Sequence, residues 1–198
     1  MASDTRDRLI RSTSRLLRTQ GYAATGLNQV MAEASAPKGS MYFHFPGGKV
    51  ELAAAAVDRF AERATANMRD YLDDHDTVGE AVTAIFDAYI EHLDATAYTE
   101  GCAVASVALD AASTNATLAE ATGRAFHAWT DQLAEALVAE GRSPAEAHGL
   151  ATLVIATIEG TITMTKGEQS TEPIAAARDA LRAVLAPPPA AQPETASA

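Results

Sequence analysis

The stretch that decides the fold is residues 37–45, which read PKGSMYFHF. Before it, the apolar spacing of residues 27–34 predicts a helix of about two turns, and Ser35-Ala36 breaks that helix. Pro37 suits the first turn of a third short helix, where the missing N–H is not needed. Two short helices joined by a tight break, behind a basic first helix, are typical of a helix-turn-helix unit.

The helix within residues 37–45 has the features needed to enter a DNA major groove, which is about 12 Å wide. Gly39 and Ser40 keep its leading turn small, and Lys38 offers an ammonium to a phosphate or a guanine edge. Met41 and Phe45 are expected to face the helical core. The other side chains of this helix are then free to place polar atoms against the DNA backbone. The predicted DNA-binding residues are Asn28, Gln29, Lys38, Gly39, Ser40, Tyr42, His44 and Lys49.

Charge is distributed unevenly along the chain. The whole protein carries a formal charge of −11, whereas residues 1–50 hold seven Lys or Arg and three Asp or Glu, giving +4. A basic N-terminal segment ahead of an acidic remainder suggests that the N-terminal segment binds a polyanion. A solvated helix face in an ordinary helical protein would give the same charge pattern, so charge alone leaves both interpretations open.

The remainder of the chain shows helical periodicity throughout, and no segment alternates convincingly as a strand. A first helix is predicted to end at Gly21, Thr77 and Glu80 form a capping box, and Ser143-Pro144 begins a long helix. A further helix begins at Pro173. The predicted fold is all-α, with about nine helices. The tail, residues 187–198, lacks bulky apolar residues and is expected to be disordered.

Composition and motifs exclude several classes of protein. With 47% apolar residues the chain can bury a core, and a single cysteine, Cys102, excludes an internal disulfide framework and a Cys-based zinc site. The longest apolar stretch, Leu150–Ile158, is too short for a membrane span, and no signal peptide is evident. The histidines lack metal-ligand spacing, and Gly47-Gly48 lacks the P-loop frame. We therefore expect a cytoplasmic protein that is not an enzyme and needs no metal or cofactor. Acidic residues are scattered along the chain, so the sequence alone leaves a pair of catalytic carboxylates open.

Four strings in correct order resemble the N-terminal domain of TetR-family transcriptional regulators: GYAAT at 21–25, LNQV at 27–30, KGSMYFHF at 38–45 and KVEL at 49–52. The segments APKGS at 36–40 and FPGGK at 45–49 are similar to the LmrA/YxaF-like branch. GCAVASVALD at 101–110 also resembles that branch, with Ala103 replacing the usual proline. The resemblance implies a DNA-binding domain over 1–48 and a ligand-binding and dimerisation domain over 49–186.

Two residues depart from the family pattern. Ser35 stands where the family usually has glycine at a turn that often needs positive φ, at a strain of around 1 kcal/mol. Gly26 stands at the N-cap of the second helix, where the family more often has Ser or Thr. DNA binding remains the expectation. The alternative is a helical protein that binds or sequesters a small molecule and whose head no longer binds DNA.

The resemblance implies a repressor that binds a near-palindromic operator as a homodimer and responds to a small effector. The last two long helices, roughly 144–165 and 172–185, would form the dimer interface. Small residues in these helices, Gly149, Ala151, Ala156 and Gly160, permit close helix approach, which favours an interface over packing inside one protomer. The expected partners are double-stranded DNA, an effector and a second copy of the chain, without a membrane.

Candidate effector contacts lie on the apolar helices of the second domain. Phe86, Ile90 and Phe126 lie on apolar stripes and suit the core better than a ligand site, whereas Tyr89 and Trp129 carry polar handles that suit either use. Asp110, in an apolar run, could also lie on a solvated face. The full candidate set is Tyr71, Phe86, Tyr89, Ile90, Cys102, Ser106, Asp110, Phe126, Trp129 and Met164. The pattern favours a mainly apolar or aromatic effector.

Overall fold

A computed structural model describes residues 2–37 and 39–186, and over these ranges the chain is all-α, with nine α-helices and no strand. The prediction of an all-α fold with about nine helices is confirmed. The helices are α1 (Ala2–Ala24), α2 (Leu27–Glu33), α3 (Ser40–His44), α4 (Gly48–Asp74), α5 (Val78–Ala95), α6 (Ala103–Val107), α7 (Ala116–Ala139), α8 (Pro144–Glu168) and α9 (Glu172–Val184). A π-helical turn, Ala108–Ala112, continues α6. We call α1–α3 the head and α4–α9 the body.

The predicted helix starts in the body are borne out. Thr77 and Glu80 form a complete capping box at α5. The Ser143 hydroxyl accepts a hydrogen bond from the Glu146 backbone N–H at α8. The carboxylate of Glu146 does not complete a second box, because it pairs with Arg142 at 2.5 Å. Local capping chemistry therefore sets these helix ends as the sequence predicts.

One predicted boundary in the head holds and one needs correction. The regular helix breaks at Gly21 as predicted, with φ 78° and ψ 177°, a region that only glycine occupies without strain, and a short helical segment continues α1 to Ala24. Pro37 does not lie in the first turn of α3, which begins at Ser40. The Ser40 backbone N–H and hydroxyl both donate to the Pro37 carbonyl, at 2.9 and 2.7 Å. That tight turn therefore precedes the helix.

The body is organised around α4, which packs against α1 on one side and against α7 on the other. Next to α7 lies α8, and α9 packs between α8 and α5. The short α6 and its π-helical turn lie against α1 and α7. The helix that ties the head to the body is therefore α1, which contacts α2, α3, α4 and α6.

The helix α8 is long and apolar enough to cross a membrane by length and composition alone. Its apolar side chains include Val154, Ile158 and Ile162, which are buried in the helical core. Burial of one face in the core accounts for part of this composition, while Leu153 and Met164 on the same helix are exposed.

Candidate DNA-binding surface and internal cavity

The α2–α3 unit is held by side chains that point into the head. Val30 on α2, Met41 on α3 and Phe45 just after α3 are fully buried, so the prediction that Met41 and Phe45 face the core is confirmed. The guanidinium of Arg6 on α1 lies over the Phe45 ring, 5.2 Å from its centroid. Because these anchors occupy positions i and i+4, the opposite side of α3 faces solvent.

Two aromatic residues occupy the solvent-facing side of α3. Tyr42 is 62% exposed and Phe43 is 76% exposed. Tyr42 was a predicted DNA contact, whereas Phe43 was not. The signal that would have found Phe43 is its spacing from the buried pair, since a residue between Met41 and Phe45 cannot share their face. An exposed phenylalanine on such a helix can contact a thymine methyl group in a major groove.

The other predicted DNA contacts fall into two groups. Asn28, Gln29 and Gly39 are exposed, while Ser40, His44 and Lys49 are half-buried. Lys38 lies outside the described residues. All eight assignments stay predictions.

Lys49 and Gln29 also make contacts within the protein. The ammonium of Lys49 lies 4.2 Å from the Tyr22 ring centroid and donates to the Ala23 carbonyl at 3.4 Å, and partial burial lowers the pKa of Lys49. The Gln29 amide exchanges hydrogen bonds with Gln20 on α1. Gln29 therefore helps to hold α1 against α2, and Lys49 helps to hold α1 against the start of α4.

The turn between α2 and α3 has the conformation that the sequence predicts. Ser35 adopts φ 48°, in the left-handed region. The Ala36 backbone N–H donates to the Met31 carbonyl at 2.9 Å, and the Ser35 N–H donates to the Ala32 carbonyl at 3.2 Å. A serine in this region carries backbone strain that glycine would not. The surrounding hydrogen bonds hold it there.

The body contains a cavity of about 620 Å³ between α1, α4, α5, α7 and α8. Half of the residues in its walls are aromatic or aliphatic, as in many small-molecule sites, and the other half are polar or charged, five of them arginines. The apolar half includes Phe60, Tyr71, Ile85, Tyr89, Trp129, Ile155 and Ile158. The indole N–H of Trp129 donates to the Ala61 carbonyl at 3.4 Å, which fixes the ring in the wall. Predicted effector contacts that line this cavity are Tyr71, Tyr89 and Trp129.

The wall of the cavity nearest the head comes from α1 and carries arginines that are already paired. Arg18 contacts the Glu100 carboxylate at 2.7 Å and lies over the Phe60 ring. Arg15 pairs with Glu33. Two further lining arginines, Arg11 and Arg59, share the carboxylate of Asp7. The positive charges on this wall are therefore largely compensated by carboxylates within the protein.

The α8 wall carries an acidic residue that the sequence did not single out. Glu159 lines the cavity, and burial raises the pKa of its carboxyl to about 7. The Cys102 thiol lies close to that carboxyl, and burial raises the thiol pKa as well. Burial also raises the pKa of the nearby Tyr89 phenol. In the sequence Glu159 directly follows the apolar stretch Leu150–Ile158, and a lone acid in that context is the signal that could have found it.

The other predicted effector contacts lie outside the cavity lining. Phe86 is fully buried in the core, and Met164 is 51% exposed on α8. Ile90 and Phe126 pack partly buried against the core. Cys102 is buried outside the lining, and the Ser106 hydroxyl donates to the Cys102 carbonyl at 2.8 Å. Their binding role stays a prediction without support from placement.

Asp110 joins the body to the head. Its carboxylate oxygen Oδ2 accepts a hydrogen bond from the Ala23 backbone N–H at 3.1 Å. A Cβ atom at Gly21 would lie only 2.7 Å from that oxygen, so glycine is required both for the kink and for the contact. The π-helical turn Ala108–Ala112 is what carries Asp110 to α1, and π-helical turns are frequent at functional sites.

The predicted interface residues on α8 divide between inside and outside. Ala151 is fully buried within the protomer, as the alternative interpretation would have it. Gly149, Ala156 and Gly160 are exposed on one side of α8, and a Cβ at either glycine would meet no neighbouring atom. Leu153 and Met164 are also exposed there.

Within the described residues, no group of three or more His, Cys, Asp or Glu could hold a metal ion.

Comparison with known families gives two matches along the chain. Residues 9–56 match the family described as bacterial regulatory proteins, tetR family. Residues 79–180 match the family described as transcriptional regulator LmrA/YxaF-like, C-terminal domain. Together the two matches cover the head and most of the body.

Individual proteins agree with these matches. The HTH-type transcriptional regulator LmrA of Bacillus subtilis is 33% identical over 86% of this chain and 91% of its own. An uncharacterised HTH-type regulator of the same organism, YxaF, is 32% identical over 86% and 90%. A TetR-family regulator from Cytophaga hutchinsonii superposes with a TM-score of 0.81 at 21% identity, covering 93% of this chain and 94% of that one. A TetR regulator from Chloroflexus aurantiacus gives 0.77 at 27% identity, covering 92% and 94%.

Proposed function

The chain belongs to the TetR family of transcriptional regulators, in the LmrA/YxaF-like branch, and on that premise we propose that it is an effector-responsive repressor. It binds a near-palindromic operator as a homodimer and is released by a small, largely apolar or aromatic effector. Members of the family are DNA-binding regulators and not enzymes, which confirms the prediction that the chain has no catalytic role. Its expected place of action is the cytoplasm.

The observation that carries this proposal is the double use of α1. The helix contacts α2 and α3 in the head, and its residues Arg11, Ser14, Arg15 and Arg18 line the cavity of the body. A molecule that enters the cavity therefore touches the helix on which the DNA-binding unit is mounted. An effector changes DNA affinity only if it binds two arrangements of the head with different affinity, a difference typically worth about 1–3 kcal/mol.

Asp110 supplies a second connection between cavity and head. The thiol next to Glu159 belongs to Cys102, which caps the start of α6, and α6 continues into the turn that carries Asp110. Asp110 then holds the α1 segment that follows the Gly21 kink. Displacement of the α8 wall by an effector would thus reach the kink through one short helix.

Dimerisation through α8 and α9 is supported by the surface that these helices leave uncovered. Gly149, Ala156 and Gly160 recur at spacings of seven and four residues, so they form one exposed stripe along α8. Small side chains in such a stripe let two helices approach closely. Ala176 and Ala180 continue a small-residue surface onto α9, where both are exposed. We propose that two protomers pair there isologously and present two heads to the operator.

The test is DNA selection followed by a salt titration. Fragments of the genome that encodes the protein, including the DNA flanking its own gene, are enriched on the purified protein. The enriched fragments are then compared with random DNA by fluorescence anisotropy. We expect tight binding to a near-palindromic site and a steep fall in affinity with salt, because phosphate contacts release counterions. No enrichment, with weak binding to every DNA at low salt, would instead favour a sequestering protein whose head is damaged at Ser35.

A further inference from the structure

The chemical class of the effector can be argued from the one carboxyl in the cavity that lacks a basic partner. Among the described residues, no arginine, lysine or histidine forms an ion pair with Glu159. The buried Cys102 thiol is its neighbour and, as a weak donor, does little to stabilise a negative charge there. A carboxylate buried without a cationic partner is costly, and a cation that reaches it recovers that cost.

The surfaces next to Glu159 suit a bulky organic cation better than a metal ion. Tyr89 and Tyr71 lie on the α5 and α4 walls, and Trp129 lies on the α7 wall. Aromatic faces attract cations within about 6 Å, most strongly when both are shielded from water. Ile155 and Ile158 complete an apolar lining that would reject a hydrated ion.

The head-facing wall does not offer a comparable site for an anion. Arg11, Arg15, Arg18 and Arg59 are each bound to a carboxylate of the protein, and Arg63 is the one lining arginine without an ion pair among the described residues. In the part of the chain that the structure describes, an anionic effector would therefore find only Arg63 without a carboxylate of the protein, would compete with existing ion pairs at the other arginines, and would place its charge in the same cavity as Glu159.

We propose that the effector is a lipophilic organic cation, an amine or quaternary ammonium, whose charge lies against the Glu159 carboxylate and whose apolar body packs between Trp129 and Ile158. This inference rests on the proposed function, because it specifies which molecule the cavity of the repressor accepts. The arginines of α1 contact the outer end of such a ligand, so ligand binding acts directly on the helix that carries α2 and α3.

Three probes that differ only in one end group test the charge requirement. Each carries a phenylbutyl body, ending in trimethylammonium, in an uncharged tert-butyl group of the same shape, or in carboxylate. Binding is measured by calorimetry and by the emission of Trp129, the only tryptophan in the chain, which reports directly on occupancy of the cavity. We expect the ammonium probe to bind at least tenfold more tightly than the tert-butyl probe, and the carboxylate probe to bind most weakly.

The variant Glu159→Gln keeps the size of the side chain and removes its charge. We expect the preference for ammonium over tert-butyl to fall to about one, while affinity for the tert-butyl probe stays unchanged. Glu168→Gln, an exposed residue on the same helix, is the matched control and should keep the full preference. Unchanged binding of the tert-butyl probe also shows that the cavity of the variant is intact.

Two results would overturn the inference. One is a wild-type protein that binds the ammonium and tert-butyl probes equally or prefers the carboxylate, and the other is a Glu159→Gln variant that retains the ammonium preference. Either result leaves the regulator itself standing if operator binding persists in the salt titration. Loss of operator binding with intact ammonium selectivity would instead contradict the proposed function while supporting the cationic site.

Discussion

The head and the body expose their functional residues in opposite ways. In the head, Tyr42 and Phe43 project from a five-residue helix whose neighbours Met41 and Phe45 are fully buried, so consecutive residues divide cleanly between anchoring and recognition. In the body, the cavity collects single residues from five helices, and adjacent residues such as Ile158 and Glu159 share one wall. A local element can be recognised from a short string of sequence, whereas a cavity exists only after the helices have packed.

The largest difference between the two regions should appear when a phenylalanine is truncated in each. Phe86→Ala in the body removes a fully buried ring and should lower the free energy of unfolding by about 3–5 kcal/mol. Phe43→Ala on the head surface should change that free energy by less than about 0.5 kcal/mol. Urea denaturation of both variants measures this. If the Phe86→Ala protein were as stable as wild type and bound the effector differently, Phe86 would be a ligand contact and not a core residue.

The buried acid of the body should give the protein a pH dependence that Glu159→Gln removes. The folded protein keeps this carboxyl protonated up to about pH 7, while the unfolded chain releases the proton near pH 4.5. The folded state therefore binds more protons within that window, and its stability falls as pH rises through it, by about 3 kcal/mol in all.

Thermal unfolding of wild type and Glu159→Gln from pH 4.5 to 8 tests this. The two proteins should be alike at pH 4.5, with the variant more stable by about 3 kcal/mol at pH 8. The groups that face or neighbour this carboxyl and could alter the profile are Tyr71, Tyr89, His92, Glu100, Cys102 and Arg18. Parallel stability curves for the two proteins would show that Glu159 ionises normally.

Substitutions at Tyr42 test whether this exposed side chain on α3 contacts DNA. Tyr42→Ala should weaken operator binding by roughly 10- to 100-fold, corresponding to a lost hydrogen bond of about 1.5–3 kcal/mol to a charged phosphate. The melting temperature should not change, since the side chain is 62% exposed. Tyr42→Phe separates the hydroxyl from the ring in the same anisotropy measurement. Wild-type affinity in both variants would remove Tyr42 from the binding surface.

Asp110 tests the connection between the regions. Asp110→Ala removes the acceptor for the Ala23 N–H, so the effector should lose part of its influence on DNA affinity. We expect the coupling between effector and operator to fall by about 1 kcal/mol, roughly fivefold in the affinity ratio. Effector affinity, measured through Trp129 emission, should stay as in wild type. An undiminished effector response would show that the signal travels by α1 alone.

The smallest effect is expected at the turn of the head. Ser35→Gly should raise the free energy of unfolding by about 0.5–1 kcal/mol, because glycine adopts φ 48° without the strain that a Cβ atom imposes. Ala36→Gly, next to it, has no left-handed conformation to relieve and should have the opposite sign. Equal and opposite shifts in chemical denaturation would confirm that the strain is confined to one residue.

Sequence reasoning predicted most of the fold because capping and periodicity are local. The Thr77–Glu80 box and the Ser143 cap follow from a few adjacent residues, and the helices appear where these signals place them. The failures concern contacts between distant segments. The short helical segment beyond Gly21 was missed because Asp110, 87 residues further along the chain than Ala23, binds the Ala23 backbone N–H. Glu159 was missed because its burial depends on packing between helices, although its place directly after the apolar stretch Leu150–Ile158 is a local signal.

The shared helix has a practical consequence for engineering. A designer who wished to give this effector response a new operator would exchange heads between regulators at the residue where α4 begins. That exchange would also replace Arg11, Ser14, Arg15 and Arg18, and with them one wall of the effector cavity. It would separate Gly21 from Asp110 as well. A working chimera must therefore graft only α2 and α3 and retain the native α1. This helix belongs to both functions, because one side of it carries the DNA-binding unit and the other lines the effector cavity.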